Sequence, residues 1–338
     1  METPPKHSLS EIACTLPPET RAPRELNRVL VAGGAGFLGS HVCEAMLGNG
    51  AEVICVDNLT TGTTENVAHL SDSPGFSLLI QGAEEDLPVD GPLDAVLHLA
   101  SPASPQDFDR LSIETLRAGS DVTFNLLALA RAKGARFLFS STSEVYGDPL
   151  EHPQTESYWG HVNPIGPRSV YDESKRFAEA LVTAYRKRYG VDTVIVRLFN
   201  TYGPRMRADD GRVVPTFISQ ALTGRDLTVT GDGLQTRSVC YVDDMVRGIL
   251  AAALSRHSGP INLGNPDERP IIDLAHTVMS LCGTSSSVSF VERPEDDPSR
   301  RRPDISLARS VLNWHPRVGP EEGLRSTIAW FHSRIVRC

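Results

Sequence analysis

Across 338 residues no apolar run approaches the roughly 18–20 positions that a membrane-spanning helix needs. Basic charge is also in deficit. Lys and Arg number 33 against 42 Asp and Glu, a formal net charge of -9, which leaves no broad positive field for nucleic acid or an anionic bilayer. A few local arginines can still hold a small anionic molecule inside an acidic protein. The six cysteines (Cys14, Cys43, Cys55, Cys240, Cys282 and Cys338) form no CxxC pair and no Cys/His cluster. That pattern argues against a zinc site or a disulfide framework, and for reduced thiols in a cytoplasmic protein. Internal repeats are missing, and the first 27 residues lack the apolar centre of a signal peptide. The expectation is a cytoplasmic globular protein with no nucleic-acid partner, no membrane and no bound metal.

What is present organises itself from Arg28 onward. Residues 1–27, punctuated by Pro4, Pro5, Pro17, Pro18 and Pro23, read as a mobile tail. Short apolar runs follow at Arg28–Ala32, Val53–Val56, Phe76–Ile80, Ala95–Leu99, Arg136–Ser140 and Thr193–Leu198, each suited to a buried parallel strand. Helical patterns at about Phe37–Leu47, 108–132 and 170–188 lie between them. This alternation predicts an α/β fold, a Rossmann-type doubly wound parallel sheet, over 28–199. From 200 to 338 the segments shorten around Gly203-Pro204, Gly231-Asp232-Gly233 and Gly264-Asn265-Pro266. That stretch reads mainly as a smaller C-terminal substrate-binding lobe, with the chain returning to the sheet near 238–263. The charge run Asp296-Asp297-Pro298-Ser299-Arg300-Arg301-Arg302 reads equally well as a solvated loop or as a ligand contact.

The first strand runs into Gly33-Gly34-Ala35-Gly36-Phe37-Leu38-Gly39, a GxGxxG turn that opens the first helix. Glycines allow a tight turn and close backbone approach, and the helix N-terminus offers N–H groups to a pyrophosphate. A plain glycine-rich turn would look the same by itself. Asp57, ending the second strand, supplies a carboxylate for the adenosine ribose hydroxyls and favours NAD over NADP. Farther on, Tyr171 and Lys175 stand four residues apart on one helical face. A phenol, with a pKa of about 10, is a poor base at neutral pH unless neighbouring positive charge favours the phenolate. Such pairs are common on helix surfaces. Together with the glycine turn, the pair resembles the short-chain dehydrogenase/reductase superfamily, and the chain length fits its extended branch. Thr142 and Glu144 follow a strand at the edge where such sheets present ligands. Thr142 can bond the reacting hydroxyl, and Glu144 adds a carboxylate. Sugar 4,6-dehydratases carry an aspartic acid between these two positions; Ser143 is a poor acid, so water elimination is disfavoured.

Longer blocks narrow the resemblance. His98–Pro105, Ser141–Pro149, Tyr158–Arg168, Tyr171–Arg176, Asn200–Met206, Asp210–Val214, Gln235–Arg237 and Asn262–Pro266 are similar to the UDP-glucuronic acid decarboxylases, and the similarity extends from about Arg28 to Phe331. The block Tyr158-Trp159-Gly160-His161-Val162-Asn163-Pro164-Ile165-Gly166 is far more specific than a dinucleotide fingerprint. The resemblance implies a carboxy-lyase that converts UDP-glucuronate to UDP-xylose through a UDP-4-keto intermediate, with NAD regenerated. Tyr171, Lys175, Thr142 and Glu144 are then the catalytic set, Tyr171 deprotonating the C4 hydroxyl. The same resemblance assigns Gly33, Gly36, Phe37, Leu38, Gly39, Asp57, Asn58, Thr61, Gly62, Leu99, Ser101 and Thr201 to the cofactor, together with Tyr171 and Lys175. Arg117, Asn200, Arg212, Arg237 and Arg301 go to the sugar nucleotide, which turns the reading of the charge run toward binding. A homodimer through the helices near 108–132 and 170–188 is also implied.

Two positions depart from the family pattern. Gly82-Ala83 stand where an adenine-contacting aspartate is usual, with Asp86 three positions on, and Gly119 stands for a helix asparagine. His161 reads as a substrate contact or a structural histidine, and His41 as packing. Competing functions are a nucleotide-sugar 4-epimerase, a decarboxylase releasing the UDP-4-keto-pentose, and a non-catalytic NAD-binding sensor or scaffold.

Overall fold

A computed structural model describes residues 6–21, 25–293, 298 and 300–335. Seven parallel strands form its central sheet. In chain order six of them are β1 (Arg28–Ala32), β2 (Glu52–Asp57), β3 (Phe76–Ile80), β4 (Ala95–His98), β5 (Arg136–Thr142) and β6 (Thr193–Leu198). Short strands β7 (Thr201–Tyr202), β8 (Leu227–Thr230), β9 (Thr236–Ser238) and β10 (Cys240–Tyr241) precede the seventh, β11 (Pro260–Leu263). The order across the sheet is β11-β6-β5-β4-β1-β2-β3. Alternate residues enter opposite cores, as a period of two demands: Val29 and Val31 face one side, Leu30 and Ala32 the other. Both faces are covered, which is why these strands read as unbroken apolar runs.

The helices of the first half are α1 (Leu9–Thr15), α2 (Phe37–Gly48), α3 (Asp107–Arg110), α4 (Ser112–Arg117), α5 (Thr123–Lys133) and α6 (Ser169–Tyr189). Those of the second half are α7 (Val213–Leu222), α8 (Val242–Leu254), α9 (Ile271–Cys282), α10 (Ser306–Leu312) and α11 (Pro320–Ile335). One sheet face carries α2 and α8, and the other carries α5 and α6. The second half adds three small sheets. β10 pairs with β7, β13 (Val288–Val291) with β8, and β9 lies between β12 (Glu268–Pro270) and β14 (Arg300–Arg301). The return expected near 238–263 is made by α8, packed on the sheet, and by β11, paired with β6.

Two expectations need correction. The segment read as a mobile tail contains α1, whose Ile12, together with Leu16 and Leu26, is buried in the main core. Its apolar positions Leu9, Ile12, Ala13 and Leu16 keep a helical spacing, and the Ser8 side chain accepts the Glu11 N–H at 3.3 Å as an N-cap. The prolines drew the reading away from this short signal. The single helix expected over 108–132 is instead broken: α3, α4, a π-helical stretch Ala118–Val122, then α5. Gly119 lies in that stretch. A Cβ there would overlap the backbone carbonyl of Ser174, so α6 crosses at a distance that only glycine allows. Of the charge run, Asp296, Asp297 and Ser299 lie outside the described residues, as does Cys338.

Candidate active site

The C-terminal edge of the sheet opens into a cavity of about 460 Å³. Its lining draws on the glycine turn, the ends of β5 and β6, α6 and the C-terminal lobe. At one end the turn between β1 and α2 is held close. A Cβ at Gly33 would overlap the Ala100 backbone, and one at Gly39 would overlap the Gly33 carbonyl. Bare backbone and the N-terminus of α2 therefore face the cavity. Gly33, Gly36, Phe37, Leu38, Gly39, Thr61, Leu99, Ser101 and Thr201 all line it. This donor set fits a dinucleotide pyrophosphate.

Asp57, Asn58 and Gly62 do not line the cavity; they shape its border. The Asp57 carboxylate accepts the Ala35 N–H at 3.0 Å and the Leu59 N–H at 2.9 Å, and burial raises its pKa. Gly62 approaches it so closely that a Cβ would fall 2.9 Å from both carboxylate oxygens. Asn58 caps the turn, accepting the Thr60 N–H at 3.1 Å. Ala83 and Asp86 also lie off the cavity.

At the reacting end, α6 carries Tyr171 and Lys175 against β5. Tyr171 is buried under Phe108, the rings stacked at 5.0 Å, and burial pushes the phenol up to about 12. The neighbouring Thr142 hydroxyl opposes that rise. Thr142 Oγ accepts the Glu144 N–H at 3.2 Å, which leaves its own hydrogen free for the tyrosine oxygen. Lys175 Nζ donates to the Ser140 carbonyl at 2.9 Å, and burial brings its pKa down to about 7. Burial thus opposes charge on both members of the pair.

Glu144 sits between Arg301 and Arg168. It bonds the Arg301 guanidinium and accepts Arg168 Nη2 at 2.7 Å. Burial alone would raise its pKa, but the two guanidiniums outweigh it and hold the carboxyl down to about 2. Arg168 was not among the sequence-predicted site residues, although it ends the long specific block. Asp172, also missed, is buried beside this cluster. Burial foremost, with the Glu144 charge, raises it to about 8. A buried carboxyl adjoining Tyr171 in sequence was its only signal.

Arg237 and Arg301, 64 positions apart, are register partners on β9 and β14 and line the same wall. Asn200 and Arg212 also line the cavity, with Arg212 Nη2 donating to Asp210 at 2.7 Å. Arg117 is a correction. It lies outside the cavity, half-exposed at the end of α4, with Nε on Asp121 at 2.8 Å. An i,i+4 partner in the π-helical stretch that follows holds it there. His161 is likewise absent from the lining and bonds the Asp148 carbonyl at 3.3 Å. His41 packs on Phe37 and bonds the Pro204 carbonyl at 3.0 Å, as a packing residue should.

The NAD dependent epimerase/dehydratase family model matches residues 29–264. UDP-glucuronic acid decarboxylase 1 of Xenopus tropicalis is 48% identical over 312 residues, 92% of this chain and 74% of that protein. UDP-glucuronic acid decarboxylase 6 of Arabidopsis thaliana is 50% identical over 298 residues, 88% of this chain and 86% of that one. Among solved structures, UDP-glucuronic acid 4-epimerase from Bacillus cereus, in complex with UDP-glucuronic acid and NAD, superposes with a TM-score of 0.82. It is 29% identical, covering 91% of this chain and 99% of that one.

Proposed function

We propose, from the premise that the chain belongs to the UDP-glucuronic acid decarboxylases of the NAD-dependent epimerase/dehydratase family, that it converts UDP-glucuronate to UDP-xylose and carbon dioxide. The observation that carries this reading is the joining of two chemistries at the end of β5. The Thr142 hydroxyl neighbours Tyr171 there, and two residues on Glu144 is locked between Arg168 and Arg301.

The glycine turn, Asp57 and Lys175 would hold NAD, which would supply a reversible acceptor for the C4 hydride, released to it at the start and returned to C4 after decarboxylation. Tyr171 takes the proton of the C4 hydroxyl, with the Thr142 hydroxyl and positive charge at Lys175 favouring the phenolate. Once C4 is a ketone, the C5 carboxylate lies β to it, and carbon dioxide leaves with its electron pair delocalised onto the ketone oxygen. Tyr171 and Thr142 donate hydrogen bonds to that developing charge. C5 then takes a proton from water. Glu144 accepts hydrogen bonds from such a water and orients it, since two arginines keep its own carboxyl ionised. Arg237, Arg301 and Arg212 supply guanidiniums for the phosphates and carboxylate.

A homodimer fits the exposed apolar face of Ile113, Leu116, Phe124, Phe177 and Tyr189 on α4, α5 and α6. The unbonded thiols of Cys14, Cys43, Cys55, Cys240 and Cys282 accord with a reducing, cytoplasmic setting. Similarity to a UDP-glucuronic acid 4-epimerase favours one second reading, inversion at C4.

The test is incubation of purified protein with UDP-glucuronate and NAD, followed by mass spectrometry and proton NMR. Loss of carbon dioxide with a xylose-type ring is the expected result. A product of unchanged mass with galacto configuration makes it an epimerase, and an accumulating 4-keto-pentose removes the closed redox cycle. Replacing Tyr171 with Phe should cut turnover by about 10²–10⁴-fold while bound NAD is retained; unimpaired turnover would overturn the role given to Tyr171.

A further inference from the structure

Helix α6 presents Tyr171, Lys175 and Glu179 at four-residue intervals, one row along a single face. All three engage the end of β5. Tyr171 meets Thr142, Lys175 Nζ donates to the Ser140 carbonyl at 2.9 Å, and Ser141 Oγ donates to Glu179 Oε1 at 2.6 Å. The first two contacts belong to the site already described. The chemistry makes no use of the third.

Glu179 also receives Arg197 Nε at 2.9 Å and Nη2 at 2.7 Å, a two-pronged bond that fixes orientation as well as distance. Arg197, on β6, is the register partner of Ser141. Its Nη1 donates to the Tyr146 hydroxyl at 2.9 Å and to the Glu156 carbonyl at 3.0 Å. The Tyr146 hydroxyl in turn donates to Asn262 Oδ1 at 2.8 Å. Tyr146 closes the turn Ser143–Tyr146 that carries Glu144. One mostly buried ion pair therefore grips the chain just before Thr142 and again just after Glu144.

We propose that Glu179 and Arg197 are a positioning pair for the reaction. By tethering Ser141 and Tyr146 they fix the backbone between, so that the Thr142 hydroxyl stays beside Tyr171 and Glu144 stays between its arginines. Neither member of the pair lines the cavity. The proposal rests on the decarboxylase reading for its substrate and on the distances above for its geometry. Misplacement by about 1 Å costs on the order of a hundredfold in rate where reacting groups must align, so a tether one residue from Thr142 registers in kcat.

The experiment compares the NAD-loaded full chain with its Ser141→Ala and Glu179→Gln variants. Ser141→Ala removes the tether and leaves the ion pair, so it folds even where the glutamate variant does not. The expected result is a kcat on UDP-glucuronate about ten- to a hundredfold lower, with KM and NAD content close to wild type, and for Ser141→Ala a melting temperature close to wild type as well. The acidic limb of kcat moves to higher pH, because the Thr142 hydroxyl that favours the phenolate is less well placed. Unchanged kcat per NAD-loaded site with an unmoved pH profile would overturn the proposal, leaving a purely structural pair. Wild type without turnover would sink the decarboxylase reading alone. Crystal structures of wild type and Ser141→Ala then decide: a Thr142–Tyr171 separation longer in the variant supports positioning, and an unchanged one refutes it.

Discussion

Tyr171, Lys175 and Glu144 lie within one buried cluster, yet burial acts on them with different results. Desolvation shifts the lysine toward its neutral form unopposed, and it outweighs the Thr142 hydroxyl and the Arg212 charge at the tyrosine. Glu144 has two guanidiniums and stays charged. Its folded pKa of about 2 lies below the ordinary glutamate value of 4.5, so the ion cluster contributes stability fully above 4.5 and loses it as pH falls toward 2. Glu144→Gln should therefore lower the melting temperature at pH 7, and the gap from wild type should narrow between pH 4.5 and 3. Thermal melts at matched ionic strength measure this, and a gap that widens on acidification contradicts the assigned charge state. The same variant should lower kcat and move the acidic limb of the pH profile to lower pH, because the Glu144 charge is one of the causes that raise the Tyr171 phenol.

At the scale of elements, strands were far easier to read than the helix before β5. A buried parallel strand announces itself as a short apolar run, and all six predicted runs became strands of one sheet. Helix α6 was equally plain, because its apolar face and charged face alternate at helical spacing over 21 residues. The segment 107–133 was not, since a π-turn leaves no mark in composition or periodicity. What decides it is the approach of α6 to Gly119. Gly119→Ala should force Ser174 and its helix outward, destabilising the fold by about 1–3 kcal/mol, and should weaken catalysis because α6 carries Tyr171. Urea unfolding gives the first quantity and steady-state turnover the second. A variant as stable and as active as wild type would mean that the close crossing has no consequence.

For the whole molecule, the apolar face over α4, α5 and α6 remains exposed in the single chain. Phe124 and Phe177 sit 6.3 Å apart on it, 44% and 47% exposed. Such a patch supports the homodimer proposed above. Phe177→Asp should convert a dimer to a monomer, read by light scattering at micromolar concentration; wild type that is already monomeric would remove the homodimer proposal. The candidate site is also a product of the whole chain. Its residues come from the turn after β1, the end of β5, α6, and the pairing of β9 with β14. By itself the sequence determined the sheet, the glycine turn and the tyrosine–lysine pair, because their signals are local: apolar period, glycine spacing, four residues of one helix. Position after a predicted strand added Thr142 and Glu144, and family resemblance in the sequence added the distant arginines. Only the tertiary structure decided that Arg168 and Arg301 close on Glu144, that Arg117 faces outward, and that Ser8–Leu16 packs into the core. Those outcomes depend on which surfaces meet, and on the cost of leaving a buried charge unpaired or an apolar face in water, which no stretch of chain expresses alone.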